Sequence, residues 1–179
     1  MLAREAIGAL GLDRVLLVPY GQAPHRAIEP EPGPEVRLEM LELAVAGDEL
    51  LEASAVEVRR PGPSFTFRTL ELLSDERPGD ELTFLMGADA AAGLESWREP
   101  GRIVELVRLG VAVRPGTVLD DAEAALERLG AAERAQVIKM PEIGISSTGI
   151  RRRLAQGRSI RYLVTDEVGE LIAARRIYE

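Results

Sequence analysis

The chain has 179 residues, 46% of them apolar and 29% charged, which suits one folded domain and excludes disordered, collagen-like and coiled-coil classes. Its 30 acidic and 22 basic residues give a net charge of -8, which disfavours a nucleic acid partner. The lack of cysteine and the single histidine exclude disulfides, thiol nucleophiles and multi-histidine metal clusters. No apolar run reaches the roughly 18 residues of a membrane span, so we expect a cytoplasmic protein without a membrane partner.

Hydrophobic periodicity predicts alternating helices and short buried strands. The first elements are a helix over 2–10, a strand over 15–18 buried on both faces, a Pro-rich loop over 21–34, a helix over 36–44 and a strand over 51–58. Further helices are predicted near 66–73, 90–94, 103–107, 120–129, 147–156 and 166–175, and further strands near 82–86, 111–113 and 136–140. This alternation predicts an α/β fold with one doubly wound parallel sheet and ligands beyond the carboxyl ends of its strands.

Two segments that follow predicted strands carry candidate binding residues. His25 lies beside Arg26 in the Pro-rich loop, so two donors suited to a phosphate share a stiff backbone, although an exposed loop with two solvated side chains is the simpler interpretation. After a later strand, Gly87 would let a ligand approach the backbone, and Asp89 could accept hydrogen bonds from ribose hydroxyls. The alternative there is a turn with a helix cap, and Trp97 as a packing residue.

A third segment, residues 145–153, predicts the start of a helix. Ser146 or Ser147 is a natural N-cap, and three arginines follow at 151–153. Cations near the positive end of a helix cost roughly 0.3–1 kcal/mol each, so we expect an anion to compensate for them. A phosphate there would meet free backbone N–H groups, hydroxyls and a guanidinium. The alternative is an exposed basic face.

Motifs along the whole chain then suggest a family. They are VP at 18–19 with PHR at 24–26, SFT at 64–66 with TL at 69–70, MGAD at 86–89 with Trp97, RPG at 114–116, ISST at 145–148 with IR at 150–151, and YLV at 162–164. In this order and spacing the chain resembles the bacterial nicotinate-nucleotide adenylyltransferases of the nucleotidyltransferase superfamily. The resemblance implies a Rossmann-like fold and adenylyl transfer from ATP, with Mg²⁺, to nicotinate mononucleotide in NAD biosynthesis.

The resemblance also implies a role for each candidate residue. His25 and Arg151 would be catalytic, and Thr66 and Trp97 would hold the mononucleotide. The ATP-binding set would comprise His25, Arg26, Gly87, Asp89, Ile145, Ser147, Thr148 and Arg151. No protein metal ligand is expected, and a homodimer is the assembly to test.

One departure from the family concerns the start of the sequence. The family begins with a strand and a GxFxPxHxGH loop, and Met1 aligns just after that segment. We expect one nucleotidyltransferase domain over 1–179, helical from about 146, that lacks the central first strand and therefore has unpaired sheet edges at the strands near Val15 and Leu82. Such a chain should fold poorly, so we expect the natural protein to begin upstream. The competing hypothesis is a non-catalytic nucleotide-binding relative without the HxGH loop, and a third is a different acceptor such as phosphopantetheine.

Overall fold

The computed structural model describes residues 1–22 and 32–178. Its α-helices are α1 (Leu2–Leu10), α2 (Pro34–Val45), α3 (Thr66–Glu76), α4 (Ala88–Ala92), α5 (Pro100–Leu106), α6 (Asp120–Arg128), α7 (Ser147–Ala155) and α8 (Asp166–Ala174), with short 3₁₀ turns at Leu94–Ser96 and Ala132–Arg134. The strands are β1 (Val15–Leu17), β2 (Leu51–Ala53), β3 (Thr83–Gly87), β4 (Arg108–Val113) and β5 (Ala135–Lys139). These elements alternate along the chain as the hydrophobic pattern predicts.

The chain divides into two compact units. The first unit comprises Met1–Val15 and Phe65–Glu142, and the second comprises Leu16–Ser64 and Ile143–Glu179. Each unit is therefore built from two separate stretches of the sequence.

A three-stranded parallel sheet organises the first unit. Its order is β3-β4-β5, and Gly87 pairs with Ala112 at the carboxyl ends of β3 and β4. Helix α1 packs on β4 and β5. A Cβ on Gly110, in the middle strand, would lie 2.6 Å from Leu85 Cδ2 and 3.0 Å from Leu10 Cδ1. Glycine at this position therefore lets α1 approach the sheet closely.

The core of the first unit is apolar and continuous. Leu94, Ile103, Leu109 and Ile138 are fully buried. The cluster that contains Leu94, Ile103 and Leu109 also takes in buried residues of α3, α4, α5 and α6. At about 25 cal/mol per Å² of buried apolar surface, this packing is the main stabilising term for the unit.

The second unit joins a two-stranded sheet to helices from both ends of its sequence. Strands β1 and β2 pair, and α2 packs on β2 and on α8. Ile160, Val168, Ile172 and Ile177 form the buried cluster. Arg175 Nη2 on the turn after α8 donates to Glu39 Oε1 of α2 at 2.7 Å, across 136 residues of sequence.

The parallel α/β architecture is confirmed, whereas two details of the predicted strands are wrong. The predicted strand over 51–58 ends at Ala53, because a turn follows in which Arg59 N donates to Ala55 O at 3.0 Å. The first strand is not buried on both faces, since Leu16 and Leu17 are only half-buried.

The described strands fall into separate sheets of two and three strands. Within them β1 pairs only with β2, and β3 only with β4. Each is therefore an edge strand of its own sheet.

No helix in the described ranges is long and apolar enough to cross a lipid bilayer.

Candidate functional site

The start of helix α7 has the features of an anion site. Ser146 is the N-cap, and its Oγ accepts the Gly149 N–H at 3.1 Å. Ser147 and Thr148 occupy the first two helical positions, and the first turn carries no acidic residue. Backbone N–H groups of this turn have no partner inside the helix and can donate to a phosphate. The structure thus assigns the cap, which the sequence left open, to Ser146.

Arg151 lies one turn into this helix. Its Nη2 lies 3.4 Å from Thr148 Oγ1, and its guanidinium carbon lies 5.9 Å from the centroid of the Tyr178 ring. The side chain is half-buried, and no carboxylate in the described ranges forms an ion pair with it. Thr148 and Arg151, two of the predicted ATP-binding residues, are therefore brought together.

The prediction that all three arginines lie unfavourably near the positive end of the helix is wrong for Arg152 and Arg153. Helix α7 is nine residues long, so Arg152 and Arg153 fall in its last turn, where a cation is favourable. Arg153 also donates from Nε to Ser159 O at 3.0 Å. Of the three arginines, Arg151 alone lies outside the last turn of α7. Ile145, two residues before the helix, is 49% exposed.

Both residues of the predicted phosphate loop, His25 and Arg26, lie outside the described residues. The chain that leads to them is anchored at Tyr20–Gln22. Arg37 Nη2 donates to Tyr20 O at 2.7 Å and to Gly21 O at 3.2 Å, and its guanidinium lies 4.3 Å from the Tyr20 ring centroid. Sequence reasoning missed Arg37, because these contacts join residues about 16 positions apart and have no local pattern.

Gly21 is held from a second side. Its N–H donates to Ser64 Oγ at 3.1 Å, and Ser64 N donates to Gln22 O at 2.8 Å. A Cβ at Gly21 would overlap the carbonyl oxygen of Glu57. Glycine is therefore required for this close approach of two backbones.

The carboxyl end of β3 leads directly into Gly87 and Asp89. Gly87 is exposed at the end of the strand and caps α4, and a Cβ there would meet no atom within 4 Å. Asp89 is exposed in the first turn of α4, where its charge complements the helix dipole. Both residues lie at the strand ends where parallel sheets bind ligands.

Thr66 and Trp97 lie in neighbouring segments of the first unit. Thr66 begins α3, directly after Phe65. The Arg98 guanidinium, next to Trp97, lies 5.8 Å from the Phe65 ring centroid. Trp97 is half-buried and meets Phe84 edge to face, with ring centroids 6.1 Å apart. The structure thus brings the predicted mononucleotide segments together through their chain neighbours.

Two arginine networks support these segments. Arg128 donates hydrogen bonds to both carboxylate oxygens of Glu95. Its Nε lies 3.0 Å from each oxygen, and its Nη2 lies 2.6 Å from Oε2. These hydrogen bonds lower the pKa of Glu95 and raise the pKa of Arg128. On α3, hydrogen bonds from Arg68 and Arg102 lower the pKa of Glu71. Sequence reasoning did not single out any of these residues.

A cavity of about 740 Å³ is lined by none of the predicted site residues in the described ranges. Its walls run from Leu154 on α7 through Arg158 and Arg161 to Asp166 and Glu170 on α8. The chemistry points instead to the start of α7, because the cavity is an open depression with charges of both signs on its walls.

No three histidine, cysteine or carboxylate side chains converge as a metal site in the described part of the chain.

The fold and these strand-end and helix-start features define a nucleotidyltransferase. A family model described as cytidylyltransferase-like matches residues 1–153. The chain is 43% identical over 177 residues to a probable nicotinate-nucleotide adenylyltransferase of Roseiflexus sp. (strain RS-1), covering 99% of this chain and 88% of that protein. It is 45% identical over 170 residues to the protein of the same name from Thermomicrobium roseum, covering 94% of this chain and 79% of that one.

The fold has a solved counterpart. The nicotinic acid mononucleotide adenylyltransferase of Plasmodium falciparum, solved in complex with NaAD, superimposes with a TM-score of 0.74 over 97% of this chain and 87% of that one, at 16% identity. At that identity the match shows the fold alone. The chain belongs to the cytidylyltransferase-like family and, within it, to the nicotinate-nucleotide adenylyltransferases.

Proposed function

We propose that this protein transfers the adenylyl group of ATP to nicotinate mononucleotide, giving nicotinic acid adenine dinucleotide and pyrophosphate in NAD biosynthesis. The observation that carries the proposal is the start of α7, where Ser146 caps the helix and Arg151 has no carboxylate partner in the described ranges. Two relatives of more than 40% identity carry this activity in their names.

The reaction needs no covalent intermediate on the protein. A 5′-phosphate oxygen of the mononucleotide attacks the α-phosphorus of ATP, and the bond from that phosphorus to the oxygen bridging to the β-phosphate breaks. The electron pair leaves with pyrophosphate. Catalysis is then positioning together with neutralisation of the charge on the leaving group.

Different residues are proposed to bind the phosphates, the ribose and the pyridine ring. In our proposal the α7 backbone and Arg151 stabilise the charge that builds on the leaving pyrophosphate, and the Trp97 indole stacks on the pyridine ring. The other proposed contacts are to the ATP phosphates from His25, Arg26, Ile145, Ser147 and Thr148, to the adenosine ribose from Gly87 and Asp89, and to the mononucleotide from Thr66.

We further propose that Mg²⁺ enters with ATP. The triphosphate itself supplies the hard oxygen ligands that Mg²⁺ prefers. No cluster of acidic or histidine ligands occurs in the described ranges. When bound, the ion would neutralise part of the triphosphate charge.

We also propose that residues 1–179 work as one cytoplasmic nucleotidyltransferase domain whose partners are small molecules, without nucleic acid or membrane. Light scattering of the purified protein decides between a monomer and the homodimer we propose to test.

The test is product formation by the purified protein with ATP, Mg²⁺ and nicotinate mononucleotide. Pyrophosphate release is followed together with mass detection of the dinucleotide, and parallel reactions omit the acceptor or replace it with phosphopantetheine. A form extended upstream to include the expected GxFxPxHxGH segment is assayed beside the 179-residue chain.

Dinucleotide formed by either form supports the proposal. ATP binding without turnover in both forms would instead favour a non-catalytic nucleotide-binding relative. Turnover with phosphopantetheine and not with nicotinate mononucleotide would show that the acceptor substrate is phosphopantetheine.

A further inference from the structure

A tyrosine on a strained turn is exposed beside the cavity that the end of α7 and helix α8 line. We propose that Tyr162 anchors a homodimer interface, in which the ring from each copy is seated in this cavity of the other copy about a two-fold axis. The inference names the surface of the homodimer included in the proposed function and rests on that part of it, whereas it is independent of the reaction.

The turn that carries Tyr162 exposes a large aromatic ring at a strained position. Leu163 N donates to Ile160 O at 3.0 Å, which closes a tight turn around Arg161 and Tyr162. Tyr162 has φ 66°, a backbone conformation that favours glycine and is costly for a residue with a side chain. The residue is nevertheless 83% exposed. Packing within the chain therefore does not explain a tyrosine at this position, and such strain often marks a functional contact.

The Tyr162 ring lies beside the cavity. Its centroid is 5.1 Å from the guanidinium carbon of Arg161, and Arg161 lines the cavity. Ile160 and Ile172 supply apolar wall to this space of about 740 Å³, which suits an aromatic side chain. Buried tyrosines of this kind are common anchors at protein interfaces. Because the ring and the cavity are neighbours on one surface, two copies can exchange the same contact about a two-fold axis.

The charges that line the cavity are complementary to one another. Arg158 and Arg161 follow the end of α7, whereas Asp166 and Glu170 belong to α8. In the part of the chain that the structure describes, none of these four residues forms an ion pair. A two-fold axis through this surface sets Arg158 of one copy against Glu170 of the other, and the same pairing recurs on the opposite side of the axis. A second copy of this chain therefore supplies partners for charges of both signs.

The distribution of charge along the chain also favours this surface for self-association. The whole chain carries a net charge of -8, so two copies repel each other on average. Over residues 150–178, however, arginines outnumber carboxylates. This local excess of positive charge weakens the repulsion between two copies that meet here. A strongly acidic or strongly basic partner would match only half of the charges around the cavity, whereas a second copy matches both halves.

The experiment measures the dissociation constant of the dimer by sedimentation equilibrium over a range of protein concentrations. The variants are Tyr162→Gly and Tyr162→Phe. The control is Val118→Ser, which removes another apolar side chain, 73% exposed, from the first unit. Glycine suits the φ of 66°, so Tyr162→Gly should fold at least as well as the wild type, and circular dichroism checks this. A weaker dimer then reports loss of the ring and not loss of the fold.

We expect a dimer for the wild type and a dissociation constant at least about 30-fold higher in Tyr162→Gly, the effect of losing an anchor residue. Tyr162→Phe and Val118→Ser should stay within about threefold of the wild type. A wild-type constant in Tyr162→Gly, or an equal rise in either of the other two variants, would overturn the inference and leave the homodimer in place. A wild type that is monomeric at every concentration would overturn the homodimer as well, and would leave the proposed reaction in place.

A second measurement tests the two-fold pairing of charges. Arg158→Glu and Glu170→Arg should each weaken the dimer, because each variant sets like charges against one another. An equimolar mixture of the two variants should restore it, since in the mixed dimer residue 158 of each copy meets the opposite charge at residue 170 of the other. A mixture that dimerises no better than the separate variants would overturn the proposed arrangement.

Discussion

Replacing Arg151 by alanine is expected to weaken ATP binding by about 1.5–3 kcal/mol, the worth of a hydrogen bond to a charged group. Arg151 makes little use of its charge in the protein, since its Nη2 is at the 3.4 Å limit from Thr148 Oγ1 and the Tyr178 ring centroid is 5.9 Å away. Its removal should therefore lower the free energy of unfolding very little. Almost all of its effect should appear as weaker binding of the ATP triphosphate. The KM for ATP should rise roughly 10- to 150-fold.

The matched control is Arg152→Ala. Arg152 is the next residue on the same helix and carries the same charge, but it is exposed and lies in the last turn. Its loss should remove a favourable contact with the helix dipole and leave the KM for ATP unchanged. The KM for ATP is measured from initial rates at saturating mononucleotide. Thermal melting shows whether both variants are folded. A KM for Arg151→Ala within twofold of the wild type, or an equal rise for Arg152→Ala, would refute the assignment.

Three further predictions concern stability. Gly110→Ala should destabilise the first unit by about 1–3 kcal/mol in urea unfolding, since its Cβ would lie 2.6 Å from a methyl of Leu85 and 3.0 Å from a methyl of Ile138. Ser146→Ala should cost about 1 kcal/mol through loss of the α7 cap, whereas Ser147→Ala should cost less, because its hydroxyl does not cap the helix. Arg128→Gln should lower stability at pH 7 and lose that effect in acid. The pKa of Glu95 is held below its ordinary value by Arg128, so the contribution exists above the unfolded-state pKa and disappears as the pH falls through the folded-state pKa.

Each of these has a control and a refuting result. Gly8→Ala places a methyl on α1 where no atom lies within 4 Å, so it should be neutral or stabilising; a loss similar to that of Gly110→Ala would show that packing is not the cause. Equal losses for the two serine variants would refute the cap assignment. A stability difference for Arg128→Gln that is the same at pH 7 and at about pH 3 would show that its ion pair with Glu95 is not responsible.

Much of the fold follows from local pattern. The 3.6-residue period of apolar residues over 2–10 ends at Gly11, and α1 has those bounds. Short apolar runs likewise predicted β3 and β5 to within a residue. The predicted strand over 51–58 is too long, because its apolar residues continue past Ala53. The backbone there turns and forms hydrogen bonds within the segment.

The candidate site was less predictable. A capping serine and a nearby arginine leave a local pattern, so the start of α7 could be found, but the choice between Ser146 and Ser147 depends on a single hydrogen bond. The side chains of Arg37 and Arg98 contact distant parts of the chain. Periodicity carries no information about such contacts, and only the folded coordinates reveal them.

The ion pair between Glu39 and Arg175 spans 136 residues, and it bears on how the protein is made. At 5–20 residues per second, a ribosome needs roughly 7 to 27 s to deliver the second partner after the first. During that interval the apolar face of α2 has emerged while α8, against which it packs, has not yet been synthesised. The second unit can form only after α8 has been synthesised, so removing α8 should leave nascent α2 exposed to chaperones and proteases.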